Sequence, residues 1–289
     1  MIAETYTALV TPFKNNKIDE KSLEKLIEFQ IKNGVSGIVP CGTTGESPTL
    51  SHEEHNLVIK LSVKIANGRL KVMAGTGSNS TDEAVVMTKY AKKVGADSCL
   101  IVAPYYNKPT AEGIYQHYKS LDKCNIPLFI YNVPGRSVIN ISDENLARIS
   151  ELKNVVGIKD ATGDLARIAT LRLLINKKFS YLSGEDITAV GYNAMGGNGV
   201  ISVTSNIAPK MVSDLQKAMQ KADWSKALKI QDKLTGLHDV MFCETNPIPV
   251  KYAASLMGLC SAETRLPLVT PSIAAKAKIE LEMQKLNLI

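Results

Sequence analysis

Aromatic residues are scarce in this 289-residue chain, at 6% with a single tryptophan, and nowhere do they cluster with basic residues. The formal charge of +6 comes from lysines spread along the sequence. A nucleic-acid partner would need a basic, aromatic-laced patch, so none is expected; a mild positive balance suits small anionic molecules. No apolar run approaches the ~20 residues that span a bilayer, so no membrane partner is expected either. The N-terminal stretch MIAETYTALVTPF lacks the basic start and small-residue cleavage site of a secretory signal. These absences predict a cytoplasmic protein.

The five cysteines (Cys41, Cys99, Cys124, Cys243 and Cys260) are odd in number and never spaced CxxC, and each is expected to be reduced and buried. The four histidines, His52, His55, His117 and His238, all fall in helical patterns. HEEH at 52–55 lacks the HExxH spacing of a zinc helix, so no metal is expected. No serine–histidine pair for acyl transfer and no GxxxxGK loop for a nucleotide is evident.

What the chain has instead is an alternation of short β-branched runs with longer amphipathic ones. Eight strands are predicted: TYTALVTPF, GVSGIVPCG, LKVMAGTG, DSCLIVAP, IPLFIYNV, VVGIKD, FSYLSG and NGVISVTS. Their starts lie about 20 to 35 residues apart, the length of a strand–loop–helix unit. Between them, Asp19 is expected to cap a helix with inner face Leu23, Leu26, Ile27 and Ile31, stopped by Gly34. Ser51 and Glu54 make a capping box before a face of Val58, Leu61 and Ile65, with Gly68 as the left-handed stop. Ser142 is expected to cap a third helix carrying Leu146 and Ile149. Eight such units predict an α/β fold, a (β/α)8 TIM barrel over residues 1–222, with a C-terminal helical extension over 223–289. An open doubly wound sheet is the weaker reading, because AGTGSNS only half matches a dinucleotide fingerprint and follows the third strand.

In a barrel of this kind, chemistry sits where strands pass into their following loops. Those ends carry GTTGES (42–47), PYYN, YNVPGR, Lys159 at the end of VVGIKD, SGED and GVISVTS. Each has a plain structural reading: a Gly-rich turn, a core tyrosine, an arginine paired with a surface acid, a lysine reaching water or Asp160. Together, one lysine, several tyrosines, two threonines and one arginine form a set suited to carbonyl chemistry. An ordinary lysine has a pKa of ~10.4, so about one amine in 2,500 is neutral at pH 7, and desolvation in a barrel favours the neutral form. A neutral amine adds to a keto group, and the imine formed acidifies the neighbouring carbon. Alternation places Lys159 on one face with Val155 and Gly157, and Gly157 is expected to leave room for the long side chain or a bound molecule.

The motifs GTTGES, PYYN, YNVPGR, GIKDATGD, LSGED and GVISV, in this order over the whole chain, resemble the dihydrodipicolinate synthase family of pyruvate-dependent lyases. The resemblance implies condensation of pyruvate with aspartate-4-semialdehyde, on the route to diaminopimelate and lysine, without a cofactor. It implies a Schiff base on Lys159, proton transfer by Tyr131, and a hydroxyl relay through Thr43 and Tyr106, the latter from a neighbouring subunit of a homotetramer. It also implies that Thr44 holds the pyruvate carboxylate with main-chain groups near Gly184 and Ile201, and that Arg136 receives the semialdehyde's carboxylate. Ser47, His52, His55, Asn79, Glu83 and Tyr105 match the positions of an inhibitory lysine site; a bland reading makes the two histidines ordinary helix surface. The chain departs from the family pattern at Pro48 and at Ser137–Val138. Rival readings are a sister aldolase for N-acetylneuraminate or a keto-deoxy sugar acid, a retired barrel that only binds, and a phosphate-binding barrel using GGNG at 196–199.

Overall fold

The structure, a computed structural model, describes residues 4–289. Residues 1–3, the start of the stretch read for a secretory signal, lie outside the described residues. Ten strands follow in chain order: β1 Glu4–Ala8, β2 Phe13–Lys14, β3 Lys17–Ile18, β4 Gly37–Val39, β5 Lys71–Gly75, β6 Ser98–Val102, β7 Leu128–Asn132, β8 Val155–Asp160, β9 Ser180–Ser183 and β10 Gly199–Ser202. Eight of them close into a barrel in the order β1-β10-β9-β8-β7-β6-β5-β4, every pair parallel. Each predicted strand is present, and the ring leaves no place for an open doubly wound sheet. β1 meets β10 with Thr5 opposite Val200, and meets β4 with Thr7 opposite Ile38.

The first predicted strand ran to Phe13, but the ladder stops at Ala8. The Val10 N–H is taken by Asn206 Oδ1 at 3.1 Å, and Pro12 has no N–H to offer. Phe13 instead starts a separate hairpin, β2–β3, turned by Asn15 and Asn16 at φ 52 and 58, the left-handed pair a two-residue hairpin needs.

The helical signals are read correctly at their starts and less well along their faces. Asp19 caps Glu20–Lys32, which buries Leu23, Leu26, Ile27 and Gln30, while Ile31 lies at the margin. Both hydrogen bonds of the Ser51–Glu54 capping box form at the head of His52–Ala66. The buried face there is His55, Val58, Ile59, Ser62 and Ala66, so Leu61 and Ile65 sit at its edge. Small Ser62 and Ala66 let the helix lie close to the strands, which the apolar pattern alone does not reveal. The stop is Asn67 at φ 45, followed by Gly68 at φ 72. Ser142 caps Asp143–Ser150, with Leu146 and Ile149 buried.

After the barrel's last strand come helices Pro209–Gln220, Trp224–Val240, Ile248–Leu256 and Ile273–Lys285. The last three lie within the predicted helical extension, and Ile273–Lys285 buries only Ala275, Ile279 and Met283, a thin stripe. These helices pack beside the barrel and on one another, and their apolar residues join the barrel's in one core cluster. All five cysteines are free thiols. Four are buried as expected, but Cys243, at the end of a helix near the barrel mouth, is half-buried.

Candidate active site

Lys159 is the penultimate residue of β8, in register with Tyr131 of β7, so the two side chains stand side by side. It is 6% exposed, and its Nζ lies 4.2 Å from the centre of the Tyr131 ring. Among the described residues the amine makes no hydrogen bond or ion pair. Asp160, the partner of the plain reading, is engaged elsewhere: its Oδ1 accepts from the Thr162 N–H at 2.9 Å and its Oδ2 lies 3.9 Å from Arg167. Burial holds the Asp160 carboxyl above the usual carboxylate range.

The room expected at Gly157 is already filled. A Cβ there would lie 2.4 Å from the Phe129 ring and 2.7 Å from the Ser180 carbonyl, so the glycine admits a neighbouring side chain and nothing larger. A register shift pairs Phe129 with Gly157 where Leu128 pairs with Val155, which brings the ring under the lysine's strand.

Above the lysine opens a cavity of about 730 Å³ whose wall includes Thr43, Thr44, Tyr131, Arg136, Lys159 and Gly184. Six of the eight residues expected at the site therefore converge on one space. Thr44 is buried, and its Oγ1 accepts from Asn246 Nδ2 at 2.9 Å. Among the described residues Arg136 has no acid partner; its Nη2 donates to the Asn246 carbonyl at 3.3 Å, leaving the rest of the fork toward the cavity. Ile201 does not reach the wall: its side chain is fully buried in the barrel, opposite Tyr6 in the β1–β10 ladder. Tyr106 does not reach it either. It is 92% exposed, at φ 71, outside the lining of the cavity.

Asn246 is the residue the sequence reading missed, and its only signal is a polar side chain ahead of the apolar run PIPV. The histidines do lie on helices, but His238 also reaches the cavity wall, held by Thr204 Oγ1 at 2.8 Å. Burial lowers its pKa, an effect that nearby Asp186 opposes. Among the described residues, no group of three or more His, Cys, Asp or Glu is arranged to hold a metal ion.

A second cavity, of about 230 Å³, shares Thr43, Tyr131, Val133 and Arg136 with the first. Ser47, Pro48 and Tyr105 line its other side, and burial raises the Tyr105 pKa, with a smaller push from Glu83. The remaining residues matched to an effector site lie around it rather than in it. His52 is on the surface, 3.2 Å from Glu83, whose carboxylate also takes the Ser78 hydroxyl. His55 is buried with Nε2 2.9 Å from the Gly75 carbonyl, and burial lowers its pKa. Asn79 accepts a hydrogen bond from Asn107 through its carbonyl at 2.8 Å. At the Ser137–Val138 departure, the buried Ser137 hydroxyl bonds the Val133 and Ile139 carbonyls, and Val138 stands at φ 64, a left-handed position that a β-branched residue adopts only under strain.

The model of the Dihydrodipicolinate synthetase family matches residues 1–286. A 4-hydroxy-tetrahydrodipicolinate synthase from Parvibaculum lavamentivorans is 53% identical over 290 residues, covering 100% of both chains. The crystal structure of the chloride-inhibited dihydrodipicolinate synthase from Acinetobacter baumannii complexed with pyruvate superposes with a TM-score of 0.97 at 45% identity, covering 100% of both chains. That of the enzyme from Cyanidioschyzon merolae with lysine bound has a TM-score of 0.96 at 34% identity, over 100% of this chain and 99% of that one. A closed barrel with a buried lysine beside a tyrosine, matched along its whole length by these relatives, belongs to the dihydrodipicolinate synthetase family.

Proposed function

We propose that the chain is a lyase, a 4-hydroxy-tetrahydrodipicolinate synthase, condensing pyruvate with L-aspartate-4-semialdehyde through a Schiff base on Lys159. The observation that carries the reading is the lysine itself: a buried amine without a carboxylate partner, facing a cavity that also holds two threonine hydroxyls, a tyrosine and an unpaired arginine. The amine adds to the pyruvate ketone and water leaves. The imine withdraws electrons, so the methyl group loses a proton and an enamine forms. The enamine carbon attacks the aldehyde, and the new alkoxide takes up a proton. The semialdehyde's own amine then displaces the lysine from the imine carbon and closes the ring.

Each side chain has a place in that sequence. Thr44, fixed by Asn246, holds the pyruvate carboxylate beside the main chain of Gly184 and the strand carrying Ile201. Tyr131 exchanges protons at the imine, and Thr43 relays them, a hydroxyl being both donor and acceptor. Tyr106, exposed in the single chain, completes the relay from a second copy in a homotetramer. Arg136 receives the semialdehyde's carboxylate, which favours this substrate over a polyol aldehyde. Lysine bound in the Cyanidioschyzon merolae relative supports an effector role for the small cavity and its rim, Ser47, His52, His55, Asn79, Glu83 and Tyr105. Among the described residues no helix is long and apolar enough to cross a membrane, in keeping with a cytoplasmic enzyme.

Borohydride added with pyruvate tests the reading. Reduction of the imine should add one pyruvate-derived group at Lys159 and abolish turnover, because the alkylated amine can no longer form an imine. An unmodified mass, or labelling at another lysine, overturns the assignment.

A further inference from the structure

The loop that carries Thr43 and Thr44 rests on an ion pair that no step of the proposed reaction uses. Lys251 Nζ, from helix Ile248–Leu256, lies 2.6 Å from Glu46 Oε1, and both side chains are fully buried. The two residues are 205 positions apart in sequence. Replacing such a buried pair with apolar residues is often neutral or stabilising, so stability alone does not explain it.

Its position does. Glu46 stands at φ 54, a left-handed conformation that a glutamate keeps only where its surroundings hold it. Its other carboxylate oxygen accepts the Arg265 N–H at 3.1 Å, and its own N–H donates to the Thr43 carbonyl at 3.1 Å. The loop is tight here: the Gly45 and Ser47 N–H groups both reach the Gly42 carbonyl, and the Thr11 hydroxyl donates to the Gly45 carbonyl at 2.6 Å. A Cβ at Gly45 would come 2.9 Å from the Cys41 nitrogen, so the loop has no slack to absorb a shift. The segment that provides Lys251 also provides Asn246, which grips Thr44. Two residues of one loop are thus held from one C-terminal segment. On the far side, Lys251 Nζ sits 4.1 Å from the centre of the Phe13 ring, with the Arg265 guanidinium 4.3 Å from the same ring.

We infer that Glu46 and Lys251 are positioning residues, a clamp by which the C-terminal helices set Thr43 and Thr44 for pyruvate. The inference rests on the reading of Thr44 as the carboxylate's anchor. The double variant Glu46→Gln/Lys251→Met removes both charges at similar volume and leaves neither stranded. It should unfold within a few degrees of the parent. Amide exchange in residues 42–47 should quicken, and the pyruvate KM should rise about tenfold or more while the semialdehyde KM moves less than about twofold. Unchanged exchange in that segment of the folded variant, or equal rises in both KM values, overturns the clamp. Thr44→Val in the parent separates the two ideas. If it raises the pyruvate KM and the double variant does not, the clamp is wrong. If neither does, the anchor reading fails, and the exchange result alone decides the clamp. Should the double variant not fold, Glu46→Asp keeps both charges but shortens the reach by one methylene, and it should give the same exchange change and the same split between the two KM values.

Discussion

Lys159 and Lys251 both interrupt apolar runs, VVGIKD and PIPVKYAA, and both are withdrawn from solvent. Their surroundings differ in one respect. Each amine lies about as close to an aromatic ring, 4.2 Å for Lys159 over Tyr131 and 4.1 Å for Lys251 over Phe13. Only Lys251 has a carboxylate, Glu46, at 2.6 Å. Burial lowers the Lys251 pKa and the Glu46 charge opposes that shift, while the contact itself ties the loop to the helix. Lys159 lines the large cavity and, among the described residues, touches no carboxylate. Burial alone therefore does not distinguish the two lysines; the carboxylate beside Lys251 does.

The comparison can be broken by substituting each lysine in turn. Lys159→Met should lower kcat by at least about four orders of magnitude, the scale seen when a nucleophile is removed, with no loss of thermal stability. Lys251→Met should instead leave Glu46 buried and unpaired, costing about 3–5 kcal/mol in denaturant unfolding. If the two variants showed the same profile, the division of labour would be wrong.

Arg136 sharpens the contrast, since it is a cation at the same mouth that has no acid partner and does not react. Arg136→Ala should raise the semialdehyde KM about tenfold to a hundredfold while borohydride trapping of pyruvate proceeds unchanged. An unaltered semialdehyde KM would remove the arginine from the second-substrate site.

The smallest effect concerns a buried base away from the site. His117 has Nδ1 2.9 Å from the Thr81 hydroxyl and, among the described residues, no partner at Nε2, and burial pushes its pKa down from 6.5 to about 4. Between those two pH values the unfolded chain binds the proton and the folded chain does not, so stability falls as the pH drops through that window. The full loss amounts to about 3 kcal/mol or less. His117→Gln should flatten the fall in Tm between pH 6.5 and 4. A parent-like slope would assign it to other groups.

The barrel was legible because each unit announces itself locally, by β-branched runs, a capping serine or aspartate, and a left-handed stop. Lys159 was legible because a charged residue stands out in a dry strand. What escaped the sequence reading is set by residues far apart in the chain. Phe129 fills the space beside Gly157, opposite it across a register shift, and no pattern within VVGIKD encodes that. The first strand stops early because Asn206 takes a backbone N–H. Asn246 and the Glu46–Lys251 pair join a loop near the N-terminus to a helix more than 200 positions later, and each looks ordinary in its own segment.

Closure of the ring has a consequence for the order in which the chain is made. β1 needs β10 on one side, with Thr5 opposite Val200, so its backbone donors and acceptors there stay unmatched until the last barrel strand has been synthesised. A nascent chain that ends before Gly199 carries an open strand edge, a ready template for pairing with a neighbouring polypeptide. Translation stalled in that interval would expose the molecule to misassembly that the finished ring prevents.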